Sequence, residues 1–155
     1  PLPVQKPHPP LWVAAFGPLA LKQVGGLGLP YLSSPIEPLP LLKSNYALHR
    51  EATKQAGHSL SPVVPVMRTI LITDDAALAK GVKNQLAENA PAQLQGEGTE
   101  VDDWAIVGDA VYARDKLAEY AGRLSITHLI GGGRLPRIDD AELRRSVEWL
   151  AGMQT

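Results

Sequence analysis

Val63-Val64-Pro65-Val66-Met67-Arg68-Thr69-Ile70-Leu71-Ile72-Thr73-Asp74-Asp75 is the stretch that decides the fold. Residues 63–72 are nearly continuous in apolar character and rich in β-branched side chains, the pattern of a strand covered on both faces. Thr73-Asp74-Asp75 then offers side-chain oxygens to the unpaired N–H groups that open a helix. Leu78, Val82 and Leu86 follow at i+4 spacing on one helical face. Strand, capping turn and helix in that order make one βα unit, the building block of parallel α/β folds.

The same rhythm extends outward in both directions. Upstream, a proline-rich lead-in reaches a short apolar run, Leu11-Trp12-Val13-Ala14-Ala15, which reads as a strand near 11–15. Its exit, Phe16-Gly17-Pro18, opens a short helix closed by Gly25-Gly26. A second strand near 29–32 is stopped by Ser33-Ser34-Pro35. Leu42, Tyr46, His49, Ala52 and Ala56 then recur at spacings of three and four up to Gly57, which predicts a helix. Downstream, residues 90–102 hold Pro91, Gly96, Gly98 and little apolar content, the composition of a mobile loop. Trp104-Ala105-Ile106-Val107 leads into Gly108-Asp109, where Asp109 caps a helix carrying Ala110, Ala113, Leu117, Ala121 and Leu124. A last strand near 127–130 precedes Gly131-Gly132-Gly133. A closing helix starts at Asp139 or Asp140, with Leu143, Val147, Leu150 and Ala151 on one side.

This pattern predicts a single α/β domain over 1–155 with strands near 11–15, 29–32, 63–72 and 127–130, each followed by a helix. Four such units form either a small open parallel sheet or half of an eight-stranded barrel, since a complete (β/α)8 barrel takes about 250 residues. Half a barrel leaves two strand edges and an apolar hollow uncovered, so it predicts association with a partner.

Composition narrows the function. Fifteen Lys and Arg stand against sixteen Asp and Glu, a formal charge of -1, which argues against nucleic acid as a partner. No stretch approaches the roughly 20 apolar residues of a membrane helix, and no secretory signal pattern is visible, so a soluble, cytoplasmic protein is expected. The absence of cysteine excludes disulfides and thiolate metal sites and fits a reducing compartment. The chain starts at Pro1, so it is either a natural half or a piece of something longer.

A series of motifs carries a resemblance. Val4-Gln5-Lys6-Pro7-His8-Pro9-Pro10-Leu11-Trp12-Val13-Ala14-Ala15, Leu27-Gly28-Leu29-Pro30-Tyr31-Leu32, Tyr46 to His58, Met67 to Asp74, Ile106-Val107-Gly108-Asp109, Thr127-His128-Leu129-Ile130 and Ser146 to Ala151 occur in the order seen in luciferase-like monooxygenases. These are flavin- or F420-dependent oxidoreductases built on TIM barrels, and the sequence resembles the C-terminal half of one. Two positions depart from the family pattern. Ala110 stands where Pro is usual, and Gly131-Gly132-Gly133 replaces a longer polar segment. The first four βα units of such a barrel, with much of its cofactor pocket, are not in this sequence.

The resemblance implies FMN or coenzyme F420 as cofactor, a small organic substrate, and barrel completion by the missing N-terminal half or by a second copy of the chain. A homo-oligomer is therefore expected. The other reading is a non-catalytic, self-associating half-barrel that binds or scaffolds.

TIM barrels react at the C-terminal ends of their strands, which selects Phe16-Gly17, Ser33-Ser34, Thr73-Asp74 and Gly131 to Arg134. In the family, the loop after the fifth strand approaches the cofactor, so the resemblance implicates Ala15, Phe16 and Gly17. Gly17 permits close backbone approach, and the helix N-terminus after it favours an anion. Gly131, Gly132 and Arg134 offer backbone N–H groups and a guanidinium to a phosphate. Both segments also serve as simple turns. Gly25-Gly26-Leu27-Gly28 ends a helix and precedes a strand, the reverse of a dinucleotide fingerprint. His8, His49, His58 and His128 lack metal-ligand spacing, so no metal is expected. Asp74 and Asp109 read as caps, and no catalytic residue is identified.

Overall fold

The structure, a computed structural model, describes residues 4–94, 99–132 and 135–153. Strands and helices alternate: β1 (Val13–Ala14), α1 (Gly17–Gly26), β2 (Tyr31–Leu32), α2 (Leu39–Gln55), β3 (Pro65–Ile72), α3 (Ala76–Glu88), β4 (Ala105–Gly108), α4 (Ala110–Leu124), β5 (His128–Gly131) and α5 (Asp140–Gly152). Every ladder is parallel. The α/β class with parallel sheets read from the sequence is what the chain adopts.

Several boundaries are corrected. The strand expected near 11–15 is Val13–Ala14 and that near 29–32 is Tyr31–Leu32. Pro9, Pro10 and Pro30 have no N–H to give a ladder, and Pro30 contributes only its carbonyl, which accepts from Val13 N–H at 2.9 Å. The strand expected over 63–72 begins at Pro65, because Val64 N–H goes to the Thr127 hydroxyl at 2.8 Å. The one near 127–130 runs from His128 to Gly131.

A fifth strand, β4, was not among the expected four. Its four residues pair Thr69–Ile72 with Ala105–Gly108. So short an apolar run, wedged between Trp104 and the Asp109 cap, looks in sequence like a mere approach to the helix.

Nor do the strands make one hydrogen-bonded arc. β1 and β2 form a two-stranded sheet, and β3 is the centre of a three-stranded one, with β4 and β5 on its two sides. Backbone groups of alternate residues point to opposite edges of a strand. Val64 and Arg68 carbonyls accept from Thr127 and Gly132 on the β5 side. Thr73 N–H goes to Gly108 on the β4 side, and Met67 N–H goes to the Ser33 hydroxyl just beyond β2 at 3.1 Å. β4 and the end of β2 therefore share one edge of β3, and Ser33 joins the two sheets where a ladder would otherwise run.

Side chains of β3 alternate between two cores. Val66, Ile70 and Ile72 pack with Leu21 and Val24 of α1, Leu42 and Tyr46 of α2, and Ala113, Tyr120 and Leu124 of α4. Leu71 packs on the other side with Ala79, Val82 and Leu86 of α3, together with Leu94, Trp104, Ala105 and Val107. The topology explains the split. The step from β3 to β4 and the step from β4 across to β5 run in opposite directions, so right-handed connections put α3 and α4 on opposite faces.

Helix ends are set locally. Asp75, rather than Asp74, caps α3, accepting from Ala77 and Leu78 N–H at 2.9 Å each. Asp109 caps α4 through Tyr112 N–H at 2.8 Å, and Asp139 caps α5 through Ala141 N–H at 2.9 Å. Ile72 N–H, on the β5 edge beyond the end of that strand, is satisfied by the Ser146 hydroxyl of α5 at 2.8 Å. The segment read as a loop over 90–102 carries 3-10 turns at Ala92–Leu94 and Val101–Asp103, with Leu94 buried among the α3 contacts; residues 95–98 lie outside the described ones.

Candidate functional site

A chamber of about 600 Å³ opens beside the middle of β3, at the level where β2 and β5 end and β4 begins, within the range of small-molecule sites. Thr69 of β3 forms its floor. Ile36 after β2, Leu86 of α3, Trp104 before β4 and Leu135 after β5 form apolar walls, with Pro35, Pro91 and Pro136 around them. Gln85 of α3 and Asn89 just past its end bring two carboxamides to it. Among the described residues lining it, none is charged.

The wall containing Pro35 and Ile36 is held from behind by a buried network. Arg68 is 0% exposed and leaves β3 on the face opposite Thr69. Its guanidinium donates to Ser34 O at 3.1 Å, Glu37 O at 2.9 Å, Met67 O at 2.8 Å and the Tyr120 hydroxyl at 2.8 Å, and it lies 4.8 Å from the Tyr120 ring centroid. The Glu37 carboxylate accepts from Tyr31 OH at 2.7 and 2.8 Å, Ser34 N–H at 2.5 Å and Asn45 Nδ2 at 2.7 Å. Burial, reinforced by the Glu37 charge, pushes the Tyr31 phenol far above its ordinary pKa, so it remains a donor. Burial likewise raises Tyr46, whose hydroxyl donates to Pro65 O at 2.5 Å. Buried charge is tolerated here because, among the described residues, every buried side-chain nitrogen and oxygen has a partner.

A second, charged crevice of about 450 Å³ lies at the ends of β3 and β4, lined by Thr73, Asp74, Lys80, Lys83, Asp109 and Tyr112 among others. Lys83 Nζ sits 2.8 Å from Asp102 and 4.7 Å from the Tyr112 ring centroid, and Tyr112 OH donates to Asp102 at 2.8 Å. Burial opposes ionisation of Asp102, but the bonds from Lys83 and Tyr112 outweigh it and hold the carboxyl below its ordinary range. Burial and the Asp102 charge raise the Tyr112 phenol.

The residues singled out from sequence fall in separate places. Ala15 is buried at the end of β1, and Phe16 beside it is 69% exposed. Gly17 starts α1 at φ +76°, with open space where a Cβ would stand. Gly131 and Gly132, at the end of β5, line a different cavity of about 270 Å³ with Ile70 and the α5 residues Ser146 and Leu150. A Cβ on Gly132 would lie 3.1 Å from Met67 Sδ. Gly133 and Arg134 lie outside the described residues. Ser33 and Ser34 serve the β3 edge and Arg68, and Thr73 donates to Glu142 at 2.5 Å.

The histidines have structural partners. His49 Nε2 pairs with Leu29 O at 2.9 Å, His58 Nε2 with Gly26 O at 3.0 Å, and His128 Nδ1 with the Thr127 hydroxyl at 2.9 Å. Sequence reasoning passes over the chamber residues Ile36, Thr69, Gln85, Asn89 and Trp104, which come together only through the position of α3. Arg68 does carry a signal, as a lone charge inside an apolar strand.

The luciferase-like monooxygenase family profile matches residues 1–126, and the chain belongs to that family. No curated protein matches the sequence. Among solved structures, the monooxygenase RslO1 from Streptomyces bottropensis is similar at TM-score 0.75 and 19% identity, over 97% of this chain and 49% of its own. The oxygenating constituent of 3,6-diketocamphane monooxygenase from the CAM plasmid of Pseudomonas putida, solved with FMN, gives 0.71 and 17%, over 93% and 47%. The coenzyme F420 dependent tetrahydromethanopterin reductase from Methanopyrus kandleri gives 0.67 and 19%, over 92% and 49%. The chain thus spans about half the length of these structures, and the likeness is one of fold.

Proposed function

We propose that residues 1–155 form one partial-barrel domain, the C-terminal half of a flavin- or F420-dependent oxidoreductase that acts on a small organic molecule at the C-terminal ends of its strands. The observation that carries this reading is the crevice of about 450 Å³ at the C-terminal ends of β3 and β4, the end at which barrel enzymes do their chemistry. Family membership supplies the reaction class.

Features of β1 and α1 fit a phosphorylated flavin or deazaflavin. The N-terminus of α1 has neither a side-chain cap nor an acid in its first turn, whereas Asp75, Asp109 and Asp139 occupy those of α3, α4 and α5. Its backbone N–H groups would hold a phosphate beside Gly17, and exposed Phe16 presents an aromatic face beside them. Ala15, Gly131, Gly132 and Arg134 complete the proposed cofactor contacts. When bound, the cofactor supplies the redox chemistry. The chain's own residues bind it, orient it, and keep water from the reacting atoms.

Completion of the barrel falls to the N-terminal half or to a second copy of the chain. This reading is supported by the length relation to the similar structures and by β1, which pairs only with β2 among the described residues. A cytoplasmic location goes with it; none of the helices described is long and apolar enough to cross a membrane.

A self-associating module without catalysis is the second reading. It is favoured by α3, which covers the face of β3 that a barrel would turn inward and so keeps part of the hollow dry without another chain. Titration of the chain with FMN and with F420, followed by absorbance and cofactor fluorescence, together with sedimentation, decides between the two. Saturable binding of one cofactor supports the enzyme. A stable oligomer that takes up neither supports the module.

A further inference from the structure

We infer that the outward face of α5 is a two-fold interface on which a second copy of this chain docks, its α5 antiparallel to the first. The surface is turned away from the sheet, so the inference stands whether or not the chain takes up a cofactor.

One side of α5 is committed within the chain. Ser146 accepts from Ile72 N–H, and Leu143 and Leu150 pack against the two cores. The side away from Ser146 carries Ala141, Arg145, Glu148 and Gly152, all exposed, at steps of four, three and four. That spacing draws one stripe along a helix, the a/d seam of a coiled coil. Arg144 flanks the stripe on one side and Trp149 on the other. Trp149 is 43% exposed and walls a cavity of about 300 Å³ shared with Arg114 of α4.

The stripe is complementary to itself when turned end over end about the midpoint between Ser146 and Val147. Ala141 then lies across from the partner's Gly152, and Arg145 across from the partner's Glu148. The flanks exchange as well, so Arg144 comes over the partner's Trp149. Such a pairing is isologous, and every contact occurs twice. It supplies two ion pairs and two guanidinium–indole contacts, with small side chains at both ends of the seam. Asp140, one turn before Arg144 on the same side of α5, arrives with it and answers the partner's Arg114 beside the cavity.

The groups concerned are open to a partner. Among the described residues, neither Arg144 nor Glu148 is in an ion pair. Arg145 gives Nε and Nη2 to Glu142 and keeps Nη1. Cations and an anion alternate along this one face, which favours a copy of the same chain over a partner of a single charge sign. Two helices of 13 residues make a contact at the low end of interface sizes, so a dimer of micromolar affinity is expected.

The test is sedimentation velocity of the 155-residue chain through the micromolar range, where a monomer–dimer equilibrium is expected. Arg145→Glu and Glu148→Arg each set like charges against each other twice, and each is expected to weaken the dimer at least about tenfold. Mixing the two variants in equal amounts rebuilds both ion pairs and is expected to restore it. Ala141→Cys and Gly152→Cys add a geometric readout in a chain with no cysteine of its own. A Cβ at Gly152 meets nothing within 4 Å. Under mild oxidation the mixture of these two is expected to form a disulfide-linked dimer that neither forms alone, because like positions stand roughly 16 Å apart along the seam. A chain that stays monomeric, a dimer indifferent to both charge reversals, a mixture that fails to restore it, or cross-linking as ready in one cysteine variant alone as in the mixture would each overturn the inference. A reversal-resistant dimer would move self-association to the strand edges. Titration with FMN and F420 tests the redox reading separately, and either result leaves this one standing.

Discussion

Trp12 and His128 meet edge to face, their ring centroids 5.0 Å apart and their planes at 61°. Trp12 immediately precedes β1 and His128 opens β5, so this contact brings together the beginnings of the first and last strands. No ladder joins them; the two rings close the distance. An aromatic pair of this kind contributes about 0.5–1.5 kcal/mol beyond the area it buries.

A double-mutant cycle of Trp12→Leu and His128→Ala is expected to return a coupling energy of about 1 kcal/mol from urea midpoints. Independent, additive effects would mean that the pair does not bind the two ends of the strand series together.

Arg68→Met removes the donor of four hydrogen bonds and leaves Ser34 O, Glu37 O and Tyr120 OH facing an apolar chain. A loss of at least about 3 kcal/mol in unfolding free energy is expected. Arg68→Lys is expected to fall between this variant and the parent, because an ammonium cannot span the same acceptors as a planar fork. Trp104 emission in each folded variant reports whether the Pro35-Ile36 wall has moved.

The α3–α4 clasp of Lys83, Asp102 and Tyr112 makes stability depend on pH. Asp102 is held below its ordinary value when folded. Its contribution is therefore complete at neutral pH and down to the unfolded carboxylate's pKa of about 4, and it is lost as pH falls through the folded value. Hydrogen exchange at α3 and at Val101–Asp103 is expected to accelerate in that acidic window, and Asp102→Asn is expected to remove this part of the pH dependence. An unchanged pH profile in Asp102→Asn would count against the clasp.

Three neighbouring glycine substitutions separate crowding from backbone conformation. At Gly25 a Cβ would stand 2.7 Å from His49 O and 2.8 Å from Ala52 Cβ, where α1 crosses α2, so Gly25→Ala is expected to cost at least about 2 kcal/mol. Gly17 has open space but a φ of +76°, so Gly17→Ala is expected to cost about 1 kcal/mol. Gly26 has open space and no positive φ, so Gly26→Ala is expected to be neutral or to stabilise by up to about 1 kcal/mol. Thermal melts of the three proteins give the order.

How much of this was legible in the residues depends on the range of the forces involved. The parallel α/β plan was, because β3 and the stripes on α2, α3 and α4 each announce themselves within a dozen residues. The caps were legible to within one position, since Asp74 and Asp75 differ in geometry and not in chemistry. β4 was not, because its four residues become a strand only when the backbone of β3 is beside them. The chamber was hidden for the same reason. Gln85 and Asn89 sit off the apolar stripe of α3 and are exposed in the structure as well, so nothing in their spacing marks them as lining a cavity. Gly131 and Gly132, singled out because they follow a strand, open onto a cavity different from the one bounded by Ile36 and Trp104.

The excursion from Thr73 to Gly108 leaves β3 and returns to β3's own side, so α3 behaves as a piston with both ends of its rod fixed to the same cylinder wall. The pairing of Thr69–Ile72 with Ala105–Gly108 ties both ends of that excursion to a single edge, so whatever shifts β4 along β3 carries α3 with it.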